Sequence, residues 1–124
     1  MDRKHITVVD DDSTMRRLVR EWLEGAGYRV SEAANALDFT MQEGADRPDL
    51  VILDLKMPGI SGYRVLRHLK TDAEQPVPVI VLSGSSNPND RMASLSAGAD
   101  SYVAKPTTRD AFLTEIHRLL SGGA

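Results

Sequence analysis

Val51-Ile52-Leu53-Asp54-Leu55-Lys56-Met57-Pro58-Gly59 is a short apolar run, rich in β-branched residues, that closes on turn punctuation. It reads as a buried strand feeding a loop. Asp54 stands where that strand ends, and an unpaired carboxylate is costly to bury as core filler. In open α/β sheets, ligands bind outside the carboxyl ends of the strands, which is where Asp54 emerges. A loop-capping aspartate is the plainer alternative, and the rest of the chain decides between them.

Four further apolar runs repeat the pattern. Ile6 to Val9 leads straight into Asp10-Asp11-Asp12, and Tyr28 to Ala33 is a weaker strand. Val79 to Leu82 leads into the polar loop Ser83-Gly84-Ser85-Ser86-Asn87-Pro88, and Tyr102-Val103-Ala104 leads into Lys105-Pro106. Helical patterns fall between these runs. Met15, Leu18, Val19, Trp22 and Leu23 follow the i, i+3, i+4, i+7, i+8 stripe of a buried face. Ser13 or Asp12 can cap that helix, and Gly25 or Gly27 can end it. Asn35 to Glu43 predicts a short second helix. Val65, Leu66 and Leu69 mark a third after Gly62, and Asp90 to Ala97 is a fourth, ended by Gly98. The fifth carries Phe112, Leu113, Ile116, Leu119 and Leu120 behind a Thr107 or Thr108 cap. Strands alternating with helices predict a parallel sheet covered on both faces. Right-handed crossovers leave few topologies, but pattern alone leaves the strand order open.

The length of 124 residues suits one domain spanning 1–124, without internal repeats. A formal net charge of -3 offers no basic patch for nucleic acid. The absence of cysteine excludes disulfides and thiolate metal sites. No run approaches membrane-spanning length, so no membrane contact is expected and the cytoplasm is the default location.

Polar residues recur at equivalent places. Asp10 and Asp11 end the first strand, Asp54 the third, Ser83 the fourth and Lys105 the fifth, all on one edge of a parallel sheet. Carboxylates gathered there repel, so protons or a cation must neutralise them. Hard oxygen ligands without His or Cys suit Mg²⁺. A carboxylate beside such an ion can attack a phosphoryl group and give an acyl phosphate. Lys105 would offset the new charge, and the Ser83 hydroxyl could donate to a phosphoryl oxygen. Each piece has a plainer reading: a helix cap for Asp10 to Asp12, a turn for Ser83, a solvated charge for Lys105. Their joint occurrence at successive strand ends favours the site.

The chain resembles the receiver domain of the two-component response-regulator family, and is most similar to its CheY-like single-domain type. The resemblance rests on Val8-Val9-Asp10-Asp11 with Ser13-Thr14-Met15-Arg16-Arg17, on Asp54-Leu55-Lys56-Met57-Pro58-Gly59, on Ser83-Gly84, on Ala97-Gly98-Ala99-Asp100 and on Lys105-Pro106. It implies a flavodoxin-like (βα)5 fold with strand order 2-1-3-4-5. It also implies that Asp54 is the phosphoacceptor, served by a histidine kinase or histidine phosphotransfer protein. The implied cofactor is Mg²⁺, with Mn²⁺ or Ca²⁺ able to substitute. Asp11, Asp54 and the Lys56 backbone carbonyl would ligate it, with Asp10 acting through water. Ser83, Gly84 and Lys105 would contact the phosphoryl group, and Pro106 would follow a cis peptide bond. Tyr102 would rotate inward behind Ser83, altering the face built by the fourth helix, fifth strand and fifth helix, where a downstream protein target docks. The alternative for Tyr102 is a strand aromatic with no moving part. The protein would assist its own phosphorylation and dephosphorylation without being a turnover enzyme, as a monomer or weak dimer.

Three features depart from the commonest pattern of that family. Ser83 stands where threonine is frequent, keeping the hydroxyl, so switching is expected to survive. Thr107 stands where an aromatic often follows Lys-Pro. Lys56 and Ser85 flank the site without an acid or amide to position a hydrolytic water, so fast self-dephosphorylation is not assumed. Among rivals, an aspartyl phosphatase needs a general acid where Lys56 stands. An FMN carrier would not place Asp10-Asp11-Asp12 at its phosphate loop. A phosphorylation-independent scaffold is the remaining alternative. The histidines His5, His68 and His117 are scattered, and Trp22 reads as core. With no output segment after the last helix, the chain reads as a stand-alone receiver, the alternative being a receiver fragment of a larger regulator.

Overall fold

The computed structural model describes residues 3–35, 47–55, 62–72, 77–84 and 87–121. Its elements are β1 (His5–Val9), α1 (Ser13–Gly25), β2 (Arg29–Ala33), β3 (Leu50–Leu53), α2 (Gly62–Arg67), β4 (Val79–Ser83), α3 (Pro88–Ser96), β5 (Ser101–Ala104) and α4 (Arg109–Ser121). A wider π-helical turn, His68–Asp72, continues α2. All of the expected helix over 35–43 but its first residue lies outside the described residues, so α3 and α4 are the fourth and fifth helices of the sequence reading. The five strands are parallel in the order β2-β1-β3-β4-β5, as the resemblance implied.

Strand residues alternate between two apolar layers, which is why these runs read as continuously hydrophobic. Ile6, Val8, Leu50, Ile52, Ile80 and Leu82 face Val19 and Leu23 of α1 and Phe112 and Ile116 of α4. Val9, Val51, Leu53, Val79, Val81 and Tyr102 share the other layer with Val65 and Leu66 of α2. Trp22 packs against the first layer, its ring centroid 5.8 Å from that of Phe112, so it belongs to the core as expected.

Leu18 does not. It is 39% exposed, although the helical stripe placed it inward. At about 100° per residue it lies roughly 120° round the helix from the midpoint of buried Val19 and Leu23. The sheet beneath α1 covers a narrower arc than the stripe.

Element ends depart slightly from expectation, each for a local reason. Strand β2 starts at Arg29 because the Tyr28 N–H is used to close α1, donating to Leu23 O at 3.0 Å. Gly27 makes that closure possible with φ of 96°, a region where side chains are strained. Helix α3 begins at Pro88, two residues earlier than Asp90. Proline suits the first helical position, and the Asn87 side chain caps it by accepting from Asn89 N–H at 2.9 Å. Thr108 caps α4, its Oγ1 accepting from Ala111 N–H at 3.1 Å. Among the described residues no helix is long and apolar enough to cross a membrane.

Candidate functional site

The acidic trio after β1 divides its work. Asp12 caps α1, its Oδ1 accepting from Thr14 and Met15 N–H at 3.0 and 3.3 Å. The plainer cap reading therefore holds for this one residue. Asp10 and Asp11 instead join Asp54, their carboxylate oxygens lying within 4.8 Å of one another. The topology makes this meeting unavoidable. Val9 pairs with Leu53, so the next residues, Asp10 and Asp54, leave adjacent strands side by side. The Asp54 N–H donates to Val9 O at 2.9 Å and extends that ladder by one step. Asp10 and Asp54 are buried, at 3% and 8% exposure, while Asp11 is exposed.

Lys105 reaches into this group from β5. Its Nζ lies 3.2 Å from Asp10 Oδ2, a hydrogen-bonding distance, and 3.8 Å from Asp54 Oδ2, where only ionic attraction operates. Its backbone N–H donates to Ser83 O at 2.7 Å, tying the ends of β4 and β5 together. Ser83 is fully buried and Gly84 exposed, and the Lys105-Pro106 bond is cis, as expected. Tyr102 is buried in the layer shared with Val79 and Val81. It pairs with Val81 while Ser83 pairs with Ala104, so Tyr102 and Ser83 stand on one face of the sheet. Lys56 and Ser85 lie outside the described residues.

The donor set decides what the cluster could hold. It is all carboxylate oxygen, without histidine, and one ammonium offsets one of the three carboxylates. The charge that remains fits a divalent, hard cation such as Mg²⁺.

Sequence reasoning missed two supports of this site. Arg16, quoted only inside a motif, donates through Nη1 to Asp10 O at 2.6 Å and through Nε to Glu32 Oε1 at 3.2 Å. Glu32 Oε2 also accepts from Arg20 Nη1 at 2.6 Å. The Arg20 hydrogen bond, aided by Arg16, holds the Glu32 carboxyl below its usual range against partial burial, and Glu32 in turn raises Arg20. The second support is Gly62, which the sequence marks only as the glycine ahead of the third helix. A Cβ there would lie 2.6 Å from Leu55 Cα and 2.7 Å from Asp54 O, so α2 seats directly on the backbone carrying Asp54. Asp100, part of another motif, is not brought to the site. Its Oδ2 accepts from Val79 N–H at 2.8 Å and Lys70 Nζ at 2.5 Å, at the opposite end of β4.

Known proteins share this chain's sequence pattern and fold. The family model of the response regulator receiver domain matches residues 6–117. The chain is 41% identical over 102 residues to the KDP operon transcriptional regulatory protein KdpE of Escherichia coli (strain K12), covering 82% of this chain and 44% of that protein. It is 36% identical over 115 residues to the response regulator MprA of Mycobacterium ulcerans, covering 93% and 49%. The chain thus spans about half the length of the curated relatives it matches. Among solved structures, the BeF3-activated receiver domain of DrrB superposes with a TM-score of 0.89 at 32% identity, covering 97% of this chain and 99% of that one. A CheY-like receiver domain protein from Methanospirillum hungatei JF-1 gives 0.87 at 28%, covering 98% and 96%. Sequence match, strand order and acidic cluster agree, and the chain belongs to the response regulator receiver domains of two-component systems, which are phosphoacceptors and not turnover enzymes.

Proposed function

We propose that Asp54 is the phosphoacceptor of this receiver and that a histidine kinase or histidine phosphotransfer protein is its donor. The observation that carries the reading is the meeting of Asp10, Asp11 and Asp54 within 4.8 Å, with the Lys105 ammonium on two of them. An Asp54 carboxylate oxygen attacks phosphorus, the bond from phosphorus to the donor imidazole breaks, and the imidazole leaves. Positioning and charge neutralisation do most of the work in such a transfer. Asp11, Asp54 and the Lys56 carbonyl would hold Mg²⁺ directly, and Asp10 through water, with Mn²⁺ or Ca²⁺ as substitutes. When bound there, Mg²⁺ supplies charge neutralisation at the phosphoryl oxygens. Lys105 pairs with the transferred group, and the Ser83 hydroxyl, beside Gly84, donates to one of its oxygens. In this way the chain assists its own phosphorylation and dephosphorylation.

The new charge at Asp54 then biases the packing of Ser83 and Tyr102 and so the face made by α3, β5 and α4. Met92, 66% exposed, and Leu95, 39% exposed, supply apolar surface on α3 for a downstream protein target. We assign these residues to the cytoplasm, as a monomer or weak dimer, and infer no direct nucleic-acid contact from a net charge of -3. The test is intact mass after incubation with acetyl phosphate and Mg²⁺. One added phosphoryl group is expected, absent in Asp54→Asn and in EDTA. No adduct, together with no binding of beryllofluoride, would replace phosphotransfer with a phosphorylation-independent scaffold.

A further inference from the structure

Every polar atom of Asp10 is engaged. Its N–H donates to Ala33 O at 3.1 Å, its Oδ1 accepts from Asp12 N–H at 2.9 Å, and its Oδ2 meets Lys105 Nζ at 3.2 Å. Its carbonyl accepts from Arg16 Nη1 at 2.6 Å. That last bond fixes the peptide plane joining Asp10 to Asp11, and so the direction in which the Asp11 carboxylate leaves the chain. Arg16 is itself held. Its Nε donates to Glu32 Oε1, and Glu32 sits on β2 opposite Val8, next to the strand end that receives the Asp10 N–H. The Arg16 side chain is only 17% exposed. A guanidinium suits this task, because its planar fork makes two directed bonds at once where an ammonium offers one point of charge.

We propose that Arg16 is a positioning residue for the divalent cation, setting the Asp10–Asp11 peptide so that Asp11 faces Asp54, and that Glu32 acts through Arg16 by orienting its fork. This rests on reading the acidic cluster as a cation site. Two physical effects predict opposite signs, which makes the inference sharp. By Coulomb's law alone, removing a positive charge near three carboxylates tightens Mg²⁺ binding. Losing the group that orients a ligand weakens it.

The experiment is isothermal titration of the intact chain with MgCl₂, for wild type, Arg16→Ala, Arg16→Lys, Glu32→Gln, the double variant Arg16→Ala/Glu32→Gln, Arg17→Ala and Asp11→Asn. Arg17 is an exposed cation on the same helix and controls for charge. Arg16→Ala is expected to bind about tenfold more weakly, as removal of a partner that orients a metal ligand does. Arg16→Lys should recover only part of that loss. Glu32→Gln should weaken binding in wild type and change nothing in the Arg16→Ala background, because it acts through Arg16. Arg17→Ala should bind unchanged or slightly more tightly. Far-UV circular dichroism of the metal-free variants checks that each is folded, and Arg16→Lys, which keeps the charge and loses the fork, carries the test if Arg16→Ala is not. Wild-type affinity in Arg16→Ala or Glu32→Gln, with Asp11→Asn unable to bind, overturns the role of Arg16 and leaves the site standing. No binding by wild type overturns the site reading and the inference together.

Discussion

Replacing Gly62 with alanine adds one methyl group where none fits. Its Cβ would sit 2.6 Å from Leu55 Cα and 2.7 Å from Asp54 O, where ordinary contact begins at 3.4 Å. Both neighbours are backbone atoms, so no rotamer change relieves the clash, and α2 must back away from β3 by the better part of an ångström. Two effects compete. Alanine is the better helix former by about 0.8–1.0 kcal/mol in a helix interior, and by less at an end. Gly62 is the first residue of α2, so that gain is small. Overpacking that shifts backbone costs about 1–3 kcal/mol. The same shift unseats Val65 and Leu66, buried on the strand layer below. The clash therefore wins, by roughly 1–2 kcal/mol. Urea unfolding followed by circular dichroism should show a midpoint lowered by about 0.5–1 M, given a slope of about 2 kcal/mol/M. Because Asp54 O is one of the displaced atoms, the yield of acyl phosphate from acetyl phosphate should fall as well. A Gly62→Ala chain as stable as wild type would refute the reasoning, since it would mean that α2 slides over the strand end without cost.

Other substitutions separate the electrostatic terms. Lys105→Met strands the Asp10 carboxylate, whose side chain is 4% exposed. Unpairing a buried charge costs about 3–5 kcal/mol, and the partial exposure of Lys105 lowers the expected loss to roughly 2–3; an unchanged urea midpoint without divalent cation would contradict this. Mg²⁺ at ten times its Kd should stabilise the wild type by about 1.4 kcal/mol, an effect removed by EDTA and missing in Asp11→Asn; equal stabilisation of that variant would exclude Asp11 as a ligand. Glu32 has its folded pKa depressed, chiefly by Arg20, so its contribution is present above the usual value of 4.5 and is lost as pH falls through the lower, folded value. The stability advantage of wild type over Glu32→Gln should therefore be full at neutral pH and fade as pH falls below about 4.5; an advantage that does not shrink at all in acid would count against the ion pairs as its source.

Much of this was legible because strands and strand ends obey simple rules. Ile6 to Val9 and Val79 to Leu82 are apolar on both faces, which only a sheet covered twice can accommodate. Asp10, Asp54, Ser83 and Lys105 were found because they interrupt such runs at the carboxyl end. The strand order was not legible from pattern, since nothing local in β1 says that β3 is its neighbour; it came from the family resemblance. Arg16 and Glu32 escaped for a related reason. A charged residue on a helix and another on a weak strand look like ordinary solvated groups until the β1–β2 pairing brings them together. Gly62 marks no more than the approach to the third helix in the sequence, which reveals a missing side chain but not what lies above it. Leu18 was misplaced because helical periodicity marks a hydrophobic arc, while the sheet decides how much of that arc is covered. Asp12 caps a helix while its neighbours gather with Asp54, a division that three identical residues in a row could not announce.

The contact between Lys105 and Asp10 joins positions 95 residues apart. Such a closure forms only after the intervening strands have found their register, because ordering so long a loop for one ion pair is entropically uphill. A partly folded chain whose fifth strand has not docked contains all three aspartates and lacks the ammonium that reaches them. No contiguous fragment short of nearly the whole sheet can reproduce the site. Completion of the sheet and the arrival of the Lys105 ammonium at its acidic pocket are a single event.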